Sequence, residues 1–258
     1  MLKTLLGRGL FRLWKRAVGA EWHYVFILGH MRSGSTLLNH LLMSHPSFVG
    51  LGERNSIYRA PGDLERLAMH AHFEHRLVAP RKFVIDQINH SRMTPDTALL
   101  EADNVSLVFL IREPAQTLNS LFEFLGRHYG MSEEEAYQYY VQRLEGLAAI
   151  ARAVATPERS LYLTYDDLVR RDHEVRASLT SFFGLDPPLA ATYRTFPFTG
   201  IRGDPSERIA SGVISPPIAR EPPDIPRQTM ESVDQSWAET SHILQRFCRP
   251  AIAAESDS

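Results

Sequence analysis

The sequence has little of several features that mark particular classes of protein. It contains one cysteine, Cys248, among 258 residues, which excludes an intrachain disulfide and a cysteine-based metal site. Its formal net charge is −2, without the basic excess that bulk nucleic-acid binding needs, so we expect no nucleic-acid partner. No apolar run approaches the roughly 20 residues of a membrane span. These absences favour a globular protein of a reducing compartment, and we expect a cytoplasmic location.

The sequence does contain strand-sized and helix-sized segments in alternation. Short apolar runs at 24–28, 82–86, 105–111 and 160–164 are typical of buried strands. Helical patterns occupy 35–44, 63–77, 95–102, 114–127, 133–155, 166–182 and 232–247. This alternation predicts an α/β protein with a P-loop-like three-layer fold, in which a central, mostly parallel sheet is flanked by helices.

We predict one large domain, residues 23–250, with a short extension at each end. Residues 1–22 intersperse five basic side chains among leucines and aromatics, as a basic amphipathic helix does. Packing of this helix on the domain is the favoured interpretation, and peripheral membrane contact is the alternative. Residues 187–226 are rich in proline, glycine and arginine, which predicts a surface loop or lid. Residues 251–258 are predicted to form a flexible tail.

An anion-binding loop is predicted between the first strand and the first helix. Backbone N–H groups at such a junction point towards an anion, and the helix dipole favours negative charge. Arg32 adds a fixed positive charge with a planar set of donors. The spacing of Gly29 and Gly34 resembles a P-loop, but Ser35 and Thr36 replace its Lys-Ser/Thr pair. The missing lysine disfavours hydrolysis of nucleoside triphosphates and leaves a P-loop kinase-like phosphotransferase as an alternative.

Residues 26–53, with Arg32-Ser-Gly-Ser-Thr36 at their centre, resemble the 5′-phosphosulfate loop of sulfotransferases that use 3′-phosphoadenosine-5′-phosphosulfate, PAPS. They are most similar to the branch that includes tyrosylprotein sulfotransferases and bacterial relatives, and the resemblance extends over about residues 24–215. It implies transfer of a sulfuryl group from PAPS to a hydroxyl-bearing acceptor, without a metal. It also implies that the donor is bound by Arg32, which takes part in catalysis, together with Ser33, Gly34, Ser35 and Thr36.

Three later motifs support the same resemblance. Arg112 and Ser120 match residues that hold the 3′-phosphate in the family, and a strand-end arginine with a nearby hydroxyl suits a phosphate dianion. Tyr165 matches a tyrosine near the adenine. Ser206 matches a serine close to the transferring sulfuryl group, and Arg208 of the same late loop is implied to reach the phosphates.

Two residues compete for the role of general base, which removes the proton of the acceptor hydroxyl. Glu53 follows a glycine at the spacing from Arg32 that the tyrosylprotein branch has for its catalytic glutamate. His90 is the alternative, because cytosolic sulfotransferases of small molecules use a histidine after a comparable strand. Gln87 stands where the family commonly has a lysine. Because the side chain there is neutral, a protein that binds adenosine bisphosphate without catalysis is an alternative.

Overall fold

The structure is a computed structural model that describes residues 10–11, 13–19, 21–76, 80–123, 130, 132–204, 207–215 and 225–253. Six strands form a parallel sheet in the order β2-β3-β1-β4-β5-β6. Their bounds are β1 His23–Gly29, β2 Phe48–Gly50, β3 Phe83–Ile88, β4 Val105–Ile111, β5 Ser160–Thr164 and β6 Arg249–Pro250. The predicted α/β class with a parallel sheet is confirmed.

The helices lie between these strands, as predicted. Their bounds are α1 Ser35–Met43, α2 Pro61–Glu74, α3 Thr97–Leu100, α4 Pro114–Leu121, α5 Glu133–Val154, α6 Tyr165–Arg170, α7 Asp172–Phe183 and α8 Arg227–Phe247. The prediction of a single helix over 166–182 is wrong, because two helices occupy this segment. The backbone leaves the helical region at Arg171, with φ −121° and ψ 37°, and this break divides the segment into α6 and α7.

The core has two apolar layers because successive side chains of a strand point to opposite faces of the sheet. In β1, Tyr24, Phe26 and Leu28 pack with buried residues of α2, α5 and α8. Val25 and Ile27 of the same strand pack with buried residues of α1 and α7 on the other face. The three-layer arrangement predicted from the sequence is thus confirmed.

All carboxyl ends of the strands meet at one edge of the sheet because every neighbouring pair is parallel. Gly29 of β1 lies beside Leu110 of β4, and Ile111 lies beside Thr164 of β5. Ligands of open α/β sheets bind at this edge. The loops that follow β1, β4 and β5 begin here, so the edge brings together segments that are far apart in sequence.

The described part of the N-terminal segment packs on this domain. Residues 10–11 and 13–17 are helical, and the buried Phe11 ring stacks on Trp22 at 5.2 Å. Lys15 forms a 3.3 Å ion pair with Glu65 of α2. These contacts agree with the packed-helix interpretation, while Leu13 is 64% exposed and peripheral membrane contact stays the alternative prediction. In the described ranges, no helix has both the length and the apolar character needed to cross a bilayer.

Candidate functional site

The loop after β1 contains two residues in the left-handed region. Arg32 has φ 67° and Gly34 has φ 93°. Gly34 also leaves space for a neighbour, because a Cβ atom there would lie 2.5 Å from the Tyr165 ring. In the described part of the chain, no side chain caps the following helix α1 and no acidic residue lies in its first turn. The loop therefore keeps the first-turn N–H groups of α1 suited to an anion.

Arg32 lies at the centre of the contacts between the predicted donor-binding segments. Its Nε donates to Ser120 Oγ in α4 at 2.7 Å. Its carbonyl oxygen accepts a hydrogen bond from Arg112 Nη1 at 3.3 Å. Arg32 follows β1, whereas Arg112 and Ser120 follow β4, so two neighbouring strand ends deliver these three residues into one cluster.

Tyr165 joins this cluster from the end of β5. The Arg112 guanidinium carbon lies 4.3 Å from the centre of the Tyr165 ring, within the range of a cation–π interaction. The same ring covers Gly34. A tyrosine at the start of α6 thus packs against both the anion loop and the strand-end arginine.

His30 links the anion loop to the end of β4. Its Nε2 accepts from the Arg112 backbone N–H at 3.0 Å, and its Nδ1 donates to the Met31 carbonyl at 2.8 Å. Burial lowers the pKa of His30 to about 3, so the ring is neutral near pH 7. His30 therefore positions the loop and does not carry a charge to the site.

Glu53 lies close to the anion loop, and the side-chain amide of Gln87 contacts both Glu53 and the loop. Gln87 Nε2 donates to Glu53 Oε2 at 3.3 Å and also lies 3.4 Å from Thr36 Oγ1. Burial raises the pKa of Glu53, and hydrogen bonds from Asn89 and Gln87 partly offset this effect. A half-buried carboxylate with a raised pKa is chemically suited to accept a proton.

A second carboxylate lies beneath Gln87. Asp86 is buried in β3, where it accepts hydrogen bonds from the Tyr58 hydroxyl and from the Gln87 backbone N–H. Burial raises the pKa of Asp86 to about 7, with a smaller contribution from the charge of Glu53. This strand side chain gave no signal of its own in the sequence, because one acidic residue in an apolar run does not reveal its neighbours.

His90 lies at the end of β3 and is half-buried. Its ring centre is 5.9 Å from that of Tyr139. Burial lowers the pKa of His90, and the positive charges of Arg92 and Arg143 lower it further. The neutral imidazole that results can accept a proton, so His90 keeps its place as the alternative base.

The two residues predicted from the late loop differ in their outcome. Ser206 lies outside the described residues. Arg208 lies in a short 3₁₀ turn, Glu207–Ser211, where its Nη2 donates to the Ser215 carbonyl at 3.0 Å. This contact stays within the late loop, and the role of Arg208 in donor binding stays a prediction.

Asp204 is a residue that the sequence reasoning missed. Its carboxylate pairs with Arg32 Nη1 at 3.2 Å, and the two side chains are only 29% and 21% exposed. Its backbone N–H donates to Thr36 Oγ1 at 3.1 Å. Gly203 makes this approach possible, since a Cβ atom there would lie 2.4 Å from Thr36 Oγ1. The late loop thus places a carboxylate on the arginine of the anion loop.

We expect Asp204→Asn to strengthen binding of adenosine 3′,5′-bisphosphate about fivefold, measured by calorimetry. The carboxylate competes with a phosphate for the Arg32 guanidinium, and the amide does not. Asp166→Asn is the matched control, because it removes the same charge from a side chain that is 60% exposed and pairs at the surface with Arg170. Unchanged or weaker binding by Asp204→Asn would show that the two anions do not compete.

Ser33 adds a buried hydroxyl to the loop. Its Oγ is buried and forms no hydrogen bond within the described residues. A buried polar atom normally has a partner, so this hydroxyl fits a ligand oxygen. Within those residues, no three His, Cys, Asp or Glu side chains are grouped as metal ligands.

Comparison with known proteins gives a family-model match to part of the sequence and similar solved structures. The family model described as the sulfotransferase family matches residues 25–106. The sulfotransferase domain of the Synechococcus PCC 7002 olefin synthase superposes with a TM-score of 0.54 at 20% identity, over 85% of this chain and 98% of that one. The sulfotransferase domain from the curacin biosynthetic pathway gives a TM-score of 0.48 at 18% identity, over 88% and 97%.

A search of curated proteins finds no match. At 20% identity, the likeness to the olefin synthase domain is one of fold alone. The segment matched by the family model contains the anion loop, Glu53 and β3. It ends before Arg112, so the residues after β4 that are predicted to bind the donor lie beyond it. Residues 25–106 of this chain are thus similar in sequence to the sulfotransferase family.

Proposed function

We propose that this protein transfers a sulfuryl group from PAPS to the hydroxyl group of an acceptor. The observation that carries the proposal is the cluster of Arg32, Arg112 and Ser120, in which residues from two strand ends lie within hydrogen-bonding distance of one another. A donor with phosphate groups at both ends of a nucleoside needs cations and hydroxyls of this kind in one cleft. The tyrosylprotein branch stays a prediction.

The residue types of the cluster fit such a donor. In the proposed complex, Arg32, Ser33 and the start of α1 bind the 5′-phosphosulfate, while Arg112 and Ser120 bind the 3′-phosphate. Tyr165 provides a flat ring for the adenine. The buried Ser33 hydroxyl supports this assignment, because it can donate to a ligand oxygen.

Glu53 is the proposed general base. It accepts the proton of the acceptor hydroxyl as the acceptor oxygen forms a bond to sulfur. The bond between sulfur and the phosphate oxygen breaks at the same time, and adenosine 3′,5′-bisphosphate leaves. Arg32 and the loop N–H groups stabilise the negative charge that grows on the leaving oxygen.

Gln87 gives specific support to a second candidate, a protein that binds the nucleotide without transfer. Its amide lies between Glu53 and Thr36 and can donate a hydrogen bond, but it carries no charge. A lysine would stabilise a leaving oxygen more strongly because its hydrogen bond is charge-assisted. Turnover therefore has to be measured separately from binding.

Calorimetry on the wild-type protein tests the donor assignment. We expect adenosine 3′,5′-bisphosphate to bind at least about 30-fold more tightly than adenosine 5′-monophosphate, since the second phosphate engages a further arginine. Magnesium should not be required. Tighter binding of ATP with magnesium would contradict the proposal and favour the kinase-like alternative.

The transfer itself is tested with ³⁵S-labelled PAPS and a panel of phenols, alcohols and tyrosine peptides. Release of adenosine 3′,5′-bisphosphate should depend on an acceptor, and the label should move to that acceptor. Tight nucleotide binding without transfer to any acceptor of the panel would support the non-catalytic candidate.

A further inference from the structure

Helix α5 carries no residue that the sequence analysis assigned to donor binding or catalysis, yet one face of it contacts three strand ends. The Tyr139 hydroxyl accepts from the Met31 N–H of the anion loop and donates to the Asn89 carbonyl after β3, both at 2.7 Å. The Tyr140 hydroxyl donates to the Arg112 carbonyl at 2.6 Å. The helix therefore fixes the ends of β1, β3 and β4 relative to one another.

Arg143 lies one turn further along this face and is fully buried. Its Nε donates to the carbonyl of Gly29, the last residue of β1, and its Nη2 donates to the carbonyl of Ile88, the last residue of β3, both at 2.7 Å. Nη1 lies 3.3 Å from Thr94 Oγ1. One guanidinium thus joins two strand ends directly below the loops that contain Arg32 and His90.

The charge of Arg143 is unusual for its position. Burial lowers the pKa of Arg143 to about 10, so the guanidinium stays positive near pH 7. Within the described residues, no carboxylate forms an ion pair with it. A buried charge without a counter-charge is costly, and backbone carbonyls compensate only part of that cost. An anion bound above the loop would supply the missing opposite charge.

We propose that Arg143 is a positioning residue for anion binding, which holds the ends of β1 and β3 and provides the buried positive charge that Gln87 does not. The nature of the anion rests on the proposed function, but any phosphate or sulfate group at the loop would respond to the same charge. Arg143 acts mainly through the field of its charge, without contact to the substrate, and its hydrogen bonds to the carbonyls of Gly29 and Ile88 hold the charge in place.

The test compares Arg143→Gln, which removes the charge and keeps an amide donor, with Arg143→Lys, which keeps the charge and cannot bridge both carbonyls. Arg152→Gln is the control, since Arg152 is exposed on the same helix. Calorimetry measures affinity for adenosine 3′,5′-bisphosphate, and an NMR titration measures affinity for inorganic sulfate. Thermal unfolding identifies variants that are folded.

We expect Arg143→Gln to weaken the binding of both ligands about tenfold, because a unit charge at this depth is only partly screened. The affinities of Arg143→Lys should stay within about threefold of wild type, and those of Arg152→Gln should match wild type. Folded Arg143→Gln with unchanged affinity, or a lysine variant as weak as the glutamine variant, would overturn the proposal. If Arg143→Gln does not fold, a tenfold loss in Arg143→Lys overturns it.

The pKa of His90, followed by NMR, gives a readout that a purely structural role would not move. Tyr139 contacts this ring, and the positive charges of Arg92 and Arg143 act on it. We expect the pKa of His90 to rise in Arg143→Gln and not in Arg152→Gln, and an unchanged value in Arg143→Gln would count against the proposal. Sulfate binding and this titration do not depend on the nucleotide, so a failure of the proposed function would be visible separately.

Discussion

Replacing Glu53 with glutamine is expected to lower kcat for sulfuryl transfer by about 1000-fold. Glutamine has nearly the same shape and can keep a hydrogen bond with Gln87, but it cannot accept the proton of the acceptor hydroxyl. The Kd for adenosine 3′,5′-bisphosphate should stay within about threefold of wild type, since the proposed role of Glu53 is proton transfer from the acceptor and not donor binding. Single-turnover transfer of ³⁵S and calorimetry measure the two quantities.

The pH dependence of sulfuryl transfer by the wild-type protein provides an independent check on Glu53. Burial raises the pKa of this carboxyl, so it holds its proton to a higher pH than an exposed glutamate does. The rate of transfer should therefore be highest above the raised pKa and should fall as the pH drops through it. His90→Gln is the matched control. If Glu53→Gln retains turnover while His90→Gln loses it, the base is His90.

Replacing Arg112 with alanine is expected to weaken binding of adenosine 3′,5′-bisphosphate about 100-fold. The variant loses the proposed phosphate contact and also the packing of the guanidinium on the Tyr165 ring. The affinity of Arg112→Lys should lie between those of wild type and Arg112→Ala, because lysine keeps a charge but lacks the planar donors. Calorimetry measures each affinity.

Arg170→Ala is the control for the loss of one positive charge. The Arg170 side chain is 59% exposed on α6, where it pairs with Asp166. The affinity of Arg170→Ala for the nucleotide should therefore match that of wild type. Arg32→Ala should weaken binding to a similar extent as Arg112→Ala. Unchanged affinity in both the Arg32 and the Arg112 variants would refute the assignment of the site.

The fold was largely predictable because buried parallel strands have uninterrupted apolar runs. The bounds of β4, Val105–Ile111, agree with the prediction for this reason. β2 and β6 were missed, since they have three and two residues and are too short for a recognisable pattern. The break at Arg171 was missed because apolar periodicity continues across it.

The positions of the loop after β1 and of Arg112 were predictable because each follows directly after a strand that the pattern identifies, whereas their roles in anion binding stay predictions. Asp204 and Arg143 were not predictable, because their partners lie far away along the chain. Arg32 and Asp204 are 172 positions apart, and Arg143 and Gly29 are 114 apart. No local pattern reports such a contact. The same holds for Gln87, whose place between Glu53 and Thr36 depends on three separate segments.

The hydrogen bond between Arg32 Nε and Ser120 Oγ has a thermodynamic consequence for the donor. In the proposed complex these two side chains bind opposite ends of the nucleotide, yet they are hydrogen-bonded to each other. Occupying either end repositions a group that serves the other. The free energies contributed by the two phosphates are then not additive, and the nucleotide is recognised as a single unit.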